Sequence, residues 1–226
     1  MRNFLKFIFV WSICTLAQAQ VSPSRCVGTT QNGSLENGWQ LPNEGKNFEI
    51  YSSLGALLGR NYVHDKVSKV VVRAYQLLET TAPDRIFVYG ETGLKNGGKF
   101  SPHKTHRNGL SVDFFVPVLD GRGKPSKLPI SALNKFGYEI EFDARAKYEG
   151  LTIDFEAMAL HLAALKTAAI EQGIGIEVVI FDNAFQKMLF SSTSGKALPK
   201  MMRFSVQKPW VRHDEHYHVD FRVQCK

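Results

Sequence analysis

Apolar residues recur at two periods along this chain, and the switch between them predicts its elements. In DKVSKVVVRAYQLLET, residues 65–80, Val67, Val70, Val71, Ala74, Leu77 and Leu78 share one side of a helical wheel. An amphipathic helix with one buried stripe is expected there, stopped by Pro83. RIFVYG at 85–90 is β-branched and aromatic and predicts a strand, and the glycine-rich ETGLKNGGKF after it predicts a connection. LSVDFFVPV at 110–118 is a second strand candidate, and GYEIEF with KYEGLTI, between 137 and 153, suggests a hairpin. From Asp154, DFEAMALHLAALKTAAIEQG is strongly apolar with an acidic start and a Gly173 stop, which predicts a helix central to the core. IEVVIFD at 176–182 reads as a buried strand, a short helix follows from Ala184 to Phe190, and HYHVDFRV at 216–223 alternates as a strand does.

Residues 20–48 are rich in Gly, Asn, Ser and Pro and predict a long irregular arm lying on the domain. Helices and strands are mixed without β-α-β alternation or a glycine fingerprint. The expected class is α+β: a small, mostly antiparallel β-sheet flanked by helices, with the long irregular N-terminal arm.

The first residues, MRNFLKFIFVWSICTLAQAQ, have the form of a secretory signal, with Arg2 and Lys6, an apolar stretch from Phe7 to Leu16, and a small-x-small site at Ala17-Gln18-Ala19. Cleavage is expected after Ala19, which makes residues 1–19 a signal peptide and leaves residues 20–226 as one domain. The apolar stretch falls short of the roughly 20 residues a membrane-spanning helix needs, and no later segment supplies one, so no stable membrane insertion is expected after cleavage. Without Arg2 and Lys6 the net charge falls from +7 to +5. That excess favours anionic partners, but it is spread along the chain without a Lys/Arg run, so no nucleic-acid partner is expected. Processing leaves two cysteines, Cys26 and Cys225, at opposite ends of the chain. In an exported protein these invite a disulfide tying the termini together, the rival being two free buried thiols.

Five of the seven histidines fall in two short segments, His103 and His106 in SPHKTHRNGLSVDFFVPV, then His213, His216 and His218 in HDEHYHVDF. His64 reads as a helix-start residue and His161 as a core histidine. On a strand, residues two apart share a face, so His216 and His218 project side by side about 7 Å apart at the backbone. A helix would splay them about 200° apart, but the β-branched and aromatic run argues for strand. A helix through 103–113 would give His103, His106 and Asp113 a solvated stripe; Pro102, the Asn108-Gly109 pair and the run to Val118 oppose it. Gly109 instead lets the chain fold back and bring His106 to Asp113. Two imidazoles and a carboxylate form a three-ligand set that leaves a fourth zinc position open.

HKTHRNGLSVD has the form HxxHxxGxxxD and HDEHYH the form HxxHxH, and in this order the pair resembles the penicillin-insensitive murein endopeptidases, within the wider group of lysostaphin-like and D-Ala-D-Ala metallopeptidases. The likeness runs from about Asn32 to Cys225 and includes GSLENGWQLPNEG in the arm. Asp220, just past the last histidine, departs from it, since a basic residue is expected there. The resemblance implies Zn2+ on His106, Asp113 and His218, His216 as general base or hydrogen-bonding partner of the metal water, and His213 and His103 beside the metal as transition-state donors or outer partners. It also implies a periplasmic enzyme that cuts peptidoglycan cross-links, D-alanyl to diaminopimelate, with stem peptides as its partner. A D-amino-acid carboxypeptidase of the same group and a non-catalytic wall-binding module are the alternatives. Ser101-Pro102-His103-Lys104 and Ser205-Val206-Gln207-Lys208 both match SxxK, but no SxN or KTG element accompanies them, and Pro102 and Pro209 oppose the helix that motif needs.

Overall fold

The structure, a computed structural model, describes residues 22–207 and 211–226. The signal peptide expected at 1–19 lies outside the described residues, as does Lys208 of the second SxxK match. Five strands form the central sheet, in the spatial order Gly175–Ile180, His216–Arg222, Ser111–Phe115, Phe87–Tyr89, Phe48–Ile50. Four of these strands pair antiparallel, and only the edge strand Phe48–Ile50 runs parallel to its neighbour. The α+β class and the mostly antiparallel sheet are therefore as expected from the sequence.

Two 17-residue helices, Asp65–Thr81 and Phe155–Glu171, pack on each other and bury the stripe of Val67, Val70, Val71, Ala74 and Leu78. The first helix starts where His64 Nδ1 accepts from the Lys66 N–H at 3.3 Å, with Asp65 in the first turn facing the positive end of the helix dipole. His161 on the second helix is fully buried. Its ring stacks on Tyr75 and Phe87, and its Nδ1 bonds the Tyr217 hydroxyl at 2.5 Å. The pleat then decides what each sheet face does. Val112, Phe114, Tyr217 and Val219 are buried in the apolar core, whereas Ser111, Asp113, His216, His218 and Asp220 share the opposite parity on the two central strands.

Two segments differ from expectation. The N-terminal arm carries an antiparallel hairpin, Arg25–Gly28 with Gly33–Glu36, because Gly28, with φ of 69°, permits the tight reversal. Its ends are fixed by the Cys26–Cys225 disulfide and by reciprocal backbone bonds, Gly28 N–H to Lys226 O and Lys226 N–H to Cys26 O. The hairpin within 137–153 is confined to Lys147–Tyr148 and Leu151–Ile153. GYEIEF alternates in burial yet has no strand partner. Its Phe142 N–H goes to the Asp214 carboxylate at 2.6 Å instead of to a neighbouring strand.

Candidate metal centre

Strand register builds the middle of the site. Asp113 and His218 are directly opposite each other on adjacent antiparallel strands, and His218 Nδ1 lies 2.9 Å from Asp113 Oδ1. His216, two residues earlier on the same face, places its Nε2 3.9 Å from Asp113 Oδ2. His106 arrives from the loop. Its backbone takes φ of 66°, unusual for a non-glycine residue, and its Nε2 lies 3.3 Å from Asp113 Oδ1. Gly109 makes the return possible, with φ of 76° and so little room that a Cβ would stand 2.6 Å from Leu35 Cδ2 and 2.8 Å from His64 N. His103 sets its Nδ1 4.0 Å from Asp113 Oδ2, and His213 lies with its ring 4.6 Å from that of His216. All six residues singled out in the sequence thus meet in one place. Ser101 and Lys104 sit in a non-helical loop, so the first SxxK match lacks its helix.

Each imidazole turns one nitrogen toward Asp113 or the cleft and ties the other to an outer partner. His106 Nδ1 bonds Thr92 O at 3.0 Å and His213 Nδ1 bonds Val211 O at 2.9 Å. A carbonyl oxygen only accepts, so both Nδ1 atoms carry hydrogen and, in the neutral rings, both Nε2 atoms present lone pairs. His216 Nδ1 meets Glu215 Oε1 at 2.7 Å, His218 Nε2 meets Asp220 Oδ1 at 2.8 Å, and His103 Nε2 meets Glu91 Oε2. Asp220 is therefore the carboxylate behind His218, itself held by the Ser111 hydroxyl.

Charges follow from burial and pairing. Burial disfavours the Asp113 anion, but the imidazoles around it, His106 and His216 foremost, and the hydrogen bond from His218 outweigh it and hold this carboxyl well below the usual range. Burial also opposes charge on His218, yet Asp220 and Asp113 on either side raise it to about 10. Desolvation pushes His216 down to about 4 and His213 to about 3, while Glu215 rises to about 8 for the same reason.

The buried His106 Nε2 has no hydrogen-bond partner, because its approach to Asp113 lacks the angle of one. An orphaned lone pair beside a buried anion fits a cation. Ligand atoms of His103, His106 and Asp113 lie within 4.8 Å of one another, which brings His103 closer to the centre than an outer role requires.

Two residues that no motif marks complete the site. The Tyr138 hydroxyl accepts from the Glu91 N–H at 2.9 Å and donates to Asp113 Oδ2 at 3.1 Å. Glu91 is 7% exposed and receives Arg60, Tyr51 and His103 on one carboxylate. A lone tyrosine in a loop and a glutamate after a strand carry no motif, so only the fold could reveal them. The site floors a cleft of about 890 Å³ whose walls include Gln31, Lys135, Phe136, Glu139 and Arg212. Among the described residues no helix is long and apolar enough to cross a membrane.

None of the curated proteins compared with the chain matches it. The sequence profile of the family described as penicillin-insensitive murein endopeptidase matches residues 26–226, a span that begins and ends beside the two disulfide cysteines and takes in every residue of the site. The chain belongs to the penicillin-insensitive murein endopeptidase family.

Proposed function

We propose that the chain is an exported, zinc-dependent endopeptidase that hydrolyses D-alanyl-diaminopimelate cross-links in peptidoglycan. Membership of a murein endopeptidase family supports the substrate class and an extracytoplasmic location, which agrees with the signal-like residues 1–19. The observation that carries the zinc reading is the orphaned Nε2 of His106 beside Asp113, with His218 Nδ1 on the same carboxylate oxygen. His106, Asp113 and His218 would hold the ion, a mixed N/O donor set that suits zinc. When bound, zinc supplies Lewis-acid polarisation and lowers the pKa of a water to about 7.

The chain's own groups handle protons. Burial keeps the His216 ring neutral, and with its one hydrogen on Nδ1, 2.7 Å from Glu215 Oε1, its Nε2 presents the lone pair. Nε2 of His216 faces the cleft and takes a proton as general base, at which point Glu215 stabilises the imidazolium. His213, ring to ring with His216, and Tyr138 stand beside the same place, His213 with an Nε2 lone pair and Tyr138 with its hydroxyl hydrogen held on Asp113 Oδ2. His218 would turn Nδ1 to the ion while Asp220 holds its Nε2 at 2.8 Å.

Alanine variants test this assignment. His106→Ala, Asp113→Ala and His218→Ala should abolish zinc retention in metal analysis and hydrolysis together. His216→Ala should keep most of the metal and lose turnover. Full zinc content in the first three would sink the ligand assignment.

A further inference from the structure

We infer that Glu91 is a positioning residue that turns His103 into an additional metal ligand, through a clamp shared with Arg60 and Tyr51. The inference rests on the metal reading above. Glu91 lies just beyond the strand Phe87–Tyr89, two strands away from the histidine-bearing strand His216–Arg222, and is nearly buried. Its Oε2 receives Arg60 Nη2 at 2.9 Å and His103 Nε2, while its Oε1 receives the Tyr51 hydroxyl at 2.9 Å and Arg60 Nε. Arg60 is itself fixed, its guanidinium 4.1 Å above the Phe100 ring and bonded to Ser101 O at 2.9 Å. The carboxylate therefore has little freedom to turn.

A carboxylate held this way accepts from Nε2 and leaves Nδ1 of a neutral His103 as the lone pair. That Nδ1 faces Asp113 Oδ2 at 4.0 Å. The gap is too long for a hydrogen bond and suits two ligand atoms on either side of one cation. The same residue also registers the carboxylate across from His103. Glu91 O accepts the Asp113 N–H at 3.0 Å, and Glu91 N–H holds the Tyr138 hydroxyl that bonds Asp113 Oδ2. Gly90 keeps this approach open, since a Cβ there would stand 2.6 Å from the Tyr138 oxygen and 3.1 Å from Asp113 Cβ.

The test is metal affinity, measured by competing cobalt away with a chelator and by the visible spectrum of the cobalt-loaded protein. Glu91→Gln should weaken cobalt binding about 10–100-fold and shift the ligand-field bands, as loss of a group behind a ligand does. His103→Ala should do the same, and the double variant should bind no worse than His103→Ala alone, because Glu91 acts through His103. Additive losses, or unchanged affinity in Glu91→Gln, would overturn the inference. Should the variant fold poorly, nitrogen NMR of His103 in the metal-free wild type decides instead: the Nε2–H form supports the clamp and the Nδ1–H form overturns it. A wild type that binds no cobalt, or binds it equally after His106→Ala, points to failure of the metal reading and not of the clamp alone.

Discussion

Replacing both Cys26 and Cys225 with serine removes the bridge that joins residues 199 apart in sequence. In the chain-entropy treatment a loop of that length restricts the unfolded chain by about 18 cal/mol/K, or about 5 kcal/mol at room temperature. The loss measured by urea denaturation should therefore fall between about 3 and 5 kcal/mol. It should also have a place. The bridge pins the arm hairpin, and the hairpin carries backbone acceptors for the site loops: Thr30 O takes the Arg107 N–H at 3.1 Å, and Gly33 O at 3.2 Å shares the Gly98 N–H with Arg107 O at 2.8 Å. Hydrogen exchange at Arg107 and Gly98 should accelerate in the serine variant well before the amides of the helix Phe155–Glu171 do. A stability loss below about 1 kcal/mol, or uniform acceleration across the fold, would refute the idea that the bridge works by anchoring the arm.

Two further outcomes follow from the buried polar groups. Burial holds His161 down at about 3, against about 6.5 in the unfolded chain, so the fold binds this histidine neutral. Its contribution is fully present above about pH 6.5 and is lost as pH falls toward about 3, at up to about 1.4 kcal/mol per pH unit. Between pH 7 and pH 4 the wild type should lose on the order of 3 kcal/mol more than His161→Gln in urea titrations; parallel losses would show that the ring is charged in the fold. Asp220→Asn should lower zinc affinity about 10–100-fold by weakening the partner of His218 Nε2, and an unchanged chelator midpoint would deny Asp220 that role.

The motif residues were legible because chemistry clustered them. HxxHxxGxxxD and HxxHxH lie on or beside two strands, and the period-two alternation correctly put His216 and His218 on one face. What no pattern gave is register: that His218 faces Asp113, and not a neighbour one residue along, depends on pairing over a separation of about a hundred residues. Gly109 folds the loop back, as its residue type announces, but His106 shares the work by adopting a left-handed backbone that its residue type does not announce. GYEIEF has the alternation of a strand because Ile140 and Phe142 are buried while Glu139 and Glu141 are not. The left-handed Lys135 and Phe136 before it turn the segment over the site, where it delivers Tyr138 instead of pairing. Glu91 lies in a segment that its glycines mark only as a connection, and its importance comes from Arg60, Tyr51 and His103 converging on it in space.

The central claim is that a metal held by His106, Asp113 and His218 is needed to cut peptidoglycan cross-links. Purified sacculi digested with metal-free protein and with the same protein reloaded with one equivalent of zinc test it most directly, with the products separated by chromatography. Metal dependence predicts that the stripped protein leaves cross-linked dimers intact and that zinc restores their conversion to monomers. Equal digestion by both, or loss of a single terminal residue with dimers preserved, would contradict it.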